Sequence, residues 1–97
     1  MAPRIPIACT LTDAQAASQL DEWGELRARA LAVESITGGV RVVLPVESEA
    51  ITRDLAAREA ACCAFLTLAV ERDDAELTLT ITGPSEAQPI IGLIIHP

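Results

Sequence analysis

Apolar residues in the first third of the chain recur at helical spacing. Leu20 and Trp23 fall on one side, and charged side chains fall on the other. Thr12, followed three residues later by Gln15, has the form of a capping box, in which Thr12 caps the start of a helix. The pattern therefore predicts a first helix over about residues 12–31.

Apolar and polar residues alternate in two later stretches, as expected of half-buried β-strands. The first stretch, residues 33–46, is interrupted by Thr37, Gly38 and Gly39, and the two glycines favour a tight hairpin turn. The second stretch alternates over residues 66–81 around a polar turn. Two β-hairpins are predicted.

A second helix is predicted between the hairpins, over about residues 49–64, with Ser48 as its N-cap. A short apolar helix follows the second hairpin, and we expect its segment Ile90–Ile95 to dock in the core, pair as a strand or be buried between subunits. The order αββαββα predicts an α+β two-layer sandwich, in which helices cover one face of a four-stranded, mainly antiparallel sheet.

The 97 residues fit a single domain, residues 1–97. The net charge is −7, and the seven basic residues are arginines scattered among acids, so we expect no direct nucleic-acid partner. No apolar run approaches the roughly 20 residues of a membrane span, and no signal sequence is evident, so a cytoplasmic location is predicted. Three cysteines, an odd number, argue against a disulfide scaffold and fit a reducing compartment.

The most informative residues are the adjacent cysteines Cys62 and Cys63, near the end of the second helix. Glu59 precedes them by three and four residues and is therefore a helical neighbour of both. An unpaired buried carboxylate costs several kcal/mol, so we expect Glu59 to have a partner: an arginine, a metal ion or a thiol. From the helical phase we also expect Cys62 to be more buried than Cys63.

The thiols of Cys62, Cys63 and Cys9, with Glu59 tuning them, form a candidate site for a thiophilic metal ion or a small ligand. Three thiolates suit Hg(II), Cu(I) or trivalent arsenic better than Zn(II), which usually takes four ligands. Neighbouring helical residues point about 100° apart, so a shared ion requires a bent last turn. Alternatively, the cysteines are inert, because free cysteine is among the most buried residue types.

Catalysis is the least favoured function. His96 is the only imidazole and lies next to the last residue, Pro97. A nucleophilic Cys62 or Cys63 would need an activating base, and none is evident. The sequence predicts no catalytic residue, and a soft metal ion is the one cofactor candidate.

The run Arg58-Glu59-x-x-Cys62-Cys63-x-Phe65, together with residues 8–12 and 20–23, resembles a small bacterial domain that occurs alone or behind a MerR-type winged-helix DNA-binding domain. The likeness extends over nearly the whole chain and departs at Ala64, where relatives usually carry proline. The resemblance implies an accessory or ligand-sensing domain of metal or stress regulation, and it supplies no catalytic residues. Because the αββαββα interpretation uses all 97 residues, no helix-turn-helix remains, and regulation would require a protein partner.

Two functions are therefore expected from the sequence. The first is a small sensor or binding module with a thiol site for a thiophilic metal or a small ligand. The second is a structural domain with inert core cysteines that forms a homodimer through Ile90–Ile95.

Overall fold

The computed structural model describes residues 13–95, with side chains from residue 18 onward. Its elements are α1 (Asp13–Ala28), β1 (Ala32–Ile36), β2 (Gly39–Pro45), α2 (Glu49–Cys62), β3 (Thr67–Arg72), β4 (Glu76–Thr82) and α3 (Gln88–Ile94). The predicted order αββαββα and the α+β class are confirmed. The predicted cap Thr12 lies outside the described residues.

The four strands form one open antiparallel sheet in the order β1-β2-β4-β3. Each hairpin contributes one central strand and one edge strand. The central strands β2 and β4 pair over seven positions, from Gly39 opposite Thr82 to Pro45 opposite Glu76. The two halves of the chain are therefore joined through the middle of the sheet.

The helices cover one face of the sheet. Since successive side chains of a strand point to opposite faces, every second residue of the central strands is buried. The inward residues of the two central strands are at most 1% exposed: Val40, Val42, Leu44, Leu77, Leu79 and Ile81. The same core includes Trp23 and Leu26 from α1, Leu55 and Ala56 from α2, and Ile91 and Ile94 from α3. The outward residues of β2 and β4, such as Arg41, Thr78 and Thr80, are exposed or half-buried.

Both glycines of the first hairpin turn are required, for different reasons. Gly38 has a φ of +80°, a conformation that side chains with a Cβ rarely adopt. A Cβ at Gly39 would collide with the carbonyl oxygen of Ile81 on the paired strand. Gly38 thus supplies the positive φ of the predicted turn, and Gly39 allows β2 and β4 to approach.

Two predicted helix ends differ from the structure, and one start is confirmed. Ser48 is the N-cap residue of α2, as predicted, although its side chain makes no capping hydrogen bond and is buried in a 3-10 turn that precedes α2. The first helix ends at Ala28, and soon afterwards the backbone N–H of Leu31 donates to the carbonyl of Val43 at 2.8 Å, so the chain has already joined the sheet. The second helix ends at Cys62, because Cys63 is extended, with φ −132° and ψ 94°.

The apolar C-terminal segment docks in the core, the first of the three predicted alternatives. Ile91, Ile94 and Ile95 are at most 4% exposed, whereas Leu93 is 58% exposed. The side-chain amide of Gln88 donates to the carbonyls of Gly38 at 2.9 Å and Gly83 at 3.0 Å, which ties the start of α3 to the sheet. Within residues 13–95, no helix combines the length and the hydrophobicity needed to cross a membrane.

Thr52 offers a test of core packing. It is fully buried on α2, and its hydroxyl has no hydrogen-bond partner. We expect Thr52→Val to raise the free energy of unfolding by about 1 kcal/mol, because valine keeps the branched shape and removes an unsatisfied donor. Urea denaturation measures this change. Thr52→Ser, which keeps the hydroxyl and loses the methyl group, should lower stability instead, and equal effects of the two variants would contradict the interpretation.

Candidate thiol site at the end of α2

Glu59 connects α2 to α1 inside the protein. Its side chain is only 7% exposed. One carboxylate oxygen, Oε1, accepts hydrogen bonds from Nε2 of Gln19 at 3.0 Å and from Nε1 of Trp23 at 2.9 Å. The prediction that Glu59 has a partner is confirmed, and the partners are an amide and an indole of α1.

Arg58, the preceding residue, makes a second connection to α1. Its guanidinium donates two parallel hydrogen bonds of 2.8 Å to the carboxylate of Glu22. A further ion pair links it to Asp54 on its own helix at 2.9 Å. The hydrogen bonds from Arg58 hold the pKa of the Glu22 carboxyl below its usual value. This pair is partly exposed, so it stabilises the helix contact only modestly.

Cys63 is a free thiol in the core. It is 1% exposed, and its backbone N–H donates to the carbonyl of Glu59 at 2.8 Å, which closes the last turn of α2. Burial raises the pKa of the Cys63 thiol; a hydrogen bond from the backbone N–H of Phe65 opposes this rise, and the negative charge of Glu59 adds to it. Because the thiolate is the reactive form, Cys63 is a weak nucleophile and a weak metal ligand in this conformation.

Cys62 differs from its neighbour, because it is disulfide-bonded. Since Cys63 is free, the partner of Cys62 is not the adjacent cysteine. The cysteine count argued against a disulfide scaffold, and Cys62 nevertheless takes part in a disulfide. The expected order of burial is wrong: Cys62 is 6% exposed and Cys63 is 1% exposed, because the chain leaves the helix at Cys63 and turns into the core.

The structure places Glu59, Cys62 and Cys63 together at the end of α2, while Cys9 and His96 lie outside the described residues. Within residues 13–95, no three His, Cys, Asp or Glu side chains are arranged to hold a metal ion. The donors to Glu59 were not predicted from the sequence. A signal was present, because Gln19 and Trp23 are four residues apart on one helix and a buried indole N–H usually finds an acceptor.

A small polar cavity of about 200 Å³ lies at the turn between β3 and β4, lined by Glu71, Arg72, Asp73 and Thr78. Asp73 accepts hydrogen bonds from the backbone N–H groups of Glu76 and Ala75, which lower the pKa of its carboxyl. Arg72 is paired with Glu49 of α2 at 2.7 Å. These side chains stabilise the turn and its contact with α2.

Removing the Glu59 carboxylate should destabilise the protein strongly. We expect Glu59→Ala to lower the free energy of unfolding by about 3 kcal/mol, because it leaves the buried donors of Gln19 and Trp23 without an acceptor. Glu59→Gln keeps an acceptor oxygen and should cost less, about 1 kcal/mol. The control is Glu25→Ala on the exposed side of α1, which should change stability by less than about 0.5 kcal/mol. Urea denaturation of the three variants tests this order, and a neutral Glu59→Ala would contradict it.

Comparison of the chain with protein-family models, with curated proteins and with solved structures gives no significant match in any of the three. The resemblance to the domain that accompanies MerR-type regulators therefore stays a prediction.

Proposed function

We propose that the protein is a small sensor and binding module that captures a thiophilic metal ion or a small thiol-reactive ligand through Cys62 and Cys63, with Cys9 as the third soft donor. One observation carries the proposal: two adjacent cysteines at the end of α2 are in different chemical states, Cys62 disulfide-bonded and Cys63 a buried free thiol. In such a pair, a change in redox conditions acts on the disulfide of Cys62, whereas a metal ion binds to a free thiol such as that of Cys63.

Metal capture at Cys62 requires prior reduction, because a disulfide sulfur is not a thiolate ligand. A dithiol reductant would donate two electrons, become a disulfide itself and leave Cys62 and its partner as thiols. Cys9 is the remaining cysteine of the sequence, so we propose it as that partner. Three thiols would then be available to one soft cation. In the cytoplasmic location that we propose, such a disulfide would be transient, as in redox sensors.

Glu59 is proposed to tune the site from beside the thiols. Its Oε1 is engaged by Gln19 and Trp23, so this oxygen has a structural role. Its negative charge disfavours the thiolate of Cys63 and would favour a cation bound there. A metal ion that neutralises both groups would therefore bind more tightly at this position than a neutral ligand.

A structural domain with inert cysteines is the second candidate, and the nearly complete burial of Cys63 favours it. The structure offers less support for dimerisation through Ile90–Ile95. Ile91, Ile94 and Ile95 pack in the core of this chain, and Leu93 is the large side chain of that segment that remains exposed. The two candidate functions differ in how the thiols respond to metal.

We expect Hg(II) to bind to the reduced protein at one equivalent and to protect Cys62, Cys63 and Cys9 together from alkylation, because few soft donors suit this ion. Alkylation followed by peptide mass spectrometry identifies the protected cysteines. Mapping of the unreduced protein should find Cys62 joined to Cys9 and Cys63 free.

Cys62→Ser and Cys63→Ser are the matched controls, since each removes one thiol and keeps a side chain of similar size. Each should weaken protection of the remaining cysteines if they share one ion. Independent alkylation of the three cysteines at one equivalent of Hg(II) would exclude the shared site and favour the structural domain.

A further inference from the structure

We infer that α1 controls access to the thiol of Cys63, so that anchorage of α1 on α2 and capture of a ligand at Cys63 exclude each other. This inference rests on the proposed function and names how that thiol site is regulated. The last turns of α2 carry both the thiols and the side chains that hold α1.

The anchors of α1 are adjacent in the sequence. Glu59 accepts from Gln19 and Trp23, and Arg58 donates twice to Glu22. Cys63 lies four residues after Glu59, and its backbone N–H donates to the carbonyl of Glu59 at 2.8 Å. A displacement of Cys63 therefore acts directly on the residue that binds α1.

The thiol of Cys63 cannot be reached without local opening. It belongs to the same buried cluster as Trp23 and Leu26 of α1, and it is 1% exposed. A reagent that approaches the sulfur must displace neighbours in the core. The sheet resists displacement, because seven registered pairs join its central strands. The described residues of α1 are bonded to the end of α2 through a few side chains instead, so in this inference α1 is the element that opens.

Coupling of this kind is reciprocal. A ligand that occupies Cys63 stabilises the open arrangement and weakens the attachment of α1. Conversely, a change that loosens α1 exposes Cys63. Binding at the thiol site would therefore detach α1 and expose Trp23, and a protein partner could recognise this change.

The experiment measures the rate at which N-ethylmaleimide alkylates Cys63 in the folded full chain, by mass spectrometry. Trp23→Phe removes the indole donor and keeps an aromatic ring, and we expect alkylation about tenfold faster, as for loss of one hydrogen bond to a charged acceptor. Glu22→Gln weakens the contact with Arg58 and should give an increase of about twofold to fivefold. The second variant alters a partly exposed pair and leaves the core intact.

Glu49→Gln is the matched control. It weakens the ion pairs with Arg53 and Arg72 at the start of α2 and touches neither α1 nor the thiols. Its alkylation rate should stay within about twofold of the parent. Urea denaturation of every variant gives its global stability, and rates that follow global stability in all variants, Glu49→Gln included, would overturn the inference.

Hydrogen exchange tests the reverse direction. Protein labelled at Cys63 with N-ethylmaleimide should exchange the amides of α1 at least tenfold faster, while those of β2 and β4 keep their protection. Unchanged exchange in α1 would overturn the inference. Hydrogen exchange in the presence of Hg(II) separates the two proposals. If Hg(II) binds to the thiols and exchange in α1 does not change, the inference that α1 controls access to Cys63 is wrong and the proposed thiol site stands. If Hg(II) does not protect the thiols but Trp23→Phe still unmasks Cys63, the proposed function fails.

Discussion

The buried carboxylate of Glu59 is the interaction on which the arrangement of the helices depends. Leaving such a charge unpaired in the core would cost several kcal/mol, and the donors that offset this cost come from α1. Trp23 and Leu26 of α1 are fully buried, while Leu20 is 38% exposed. The directional bonds to Glu59 therefore act together with this packing to fix how α1 lies on α2.

The same charge affects the chemistry of its neighbour. Glu59 attracts the donors of α1 and also disfavours the thiolate of Cys63. Glu59 thus contributes both to the position of α1 and, in addition to burial, to the low reactivity of the Cys63 thiol. A cation near this position would relieve the repulsion and compete with the bonds to α1. If the proposed function holds, the bonds that stabilise α1 and the binding of a cation are opposed at this one residue.

Much of the fold could be predicted because its signals are local. Alternation along β2 and β4 identified their buried rows, and Gly38 and Gly39 identified the first turn. The end of α2 could not be placed from helical phase, since Cys63 leaves the helix and the phase no longer applies. The sequence indicates that the buried Trp23 indole needs an acceptor, but it could not pair Gln19 and Trp23 with Glu59, because they lie 40 and 36 residues away from it.

The disulfide state of Cys62 was the other element beyond prediction. An odd number of cysteines argued against a disulfide scaffold, but a count cannot show which of two adjacent cysteines is paired and which is free. Pairing depends on which backbone segments approach each other. That information is nonlocal, like the strand order β1-β2-β4-β3.

The central pairing of β2 with β4 makes the two αββ halves mutually dependent during folding. The strand pairing within each half is local in sequence, but the apolar row of its central strand remains uncovered until the other half arrives. A chain cut between Pro45 and Glu49 should give two fragments that are poorly structured separately and regain the sheet when mixed. The ordering of this nonlocal pair should also limit the folding rate, because loop closure has to precede it.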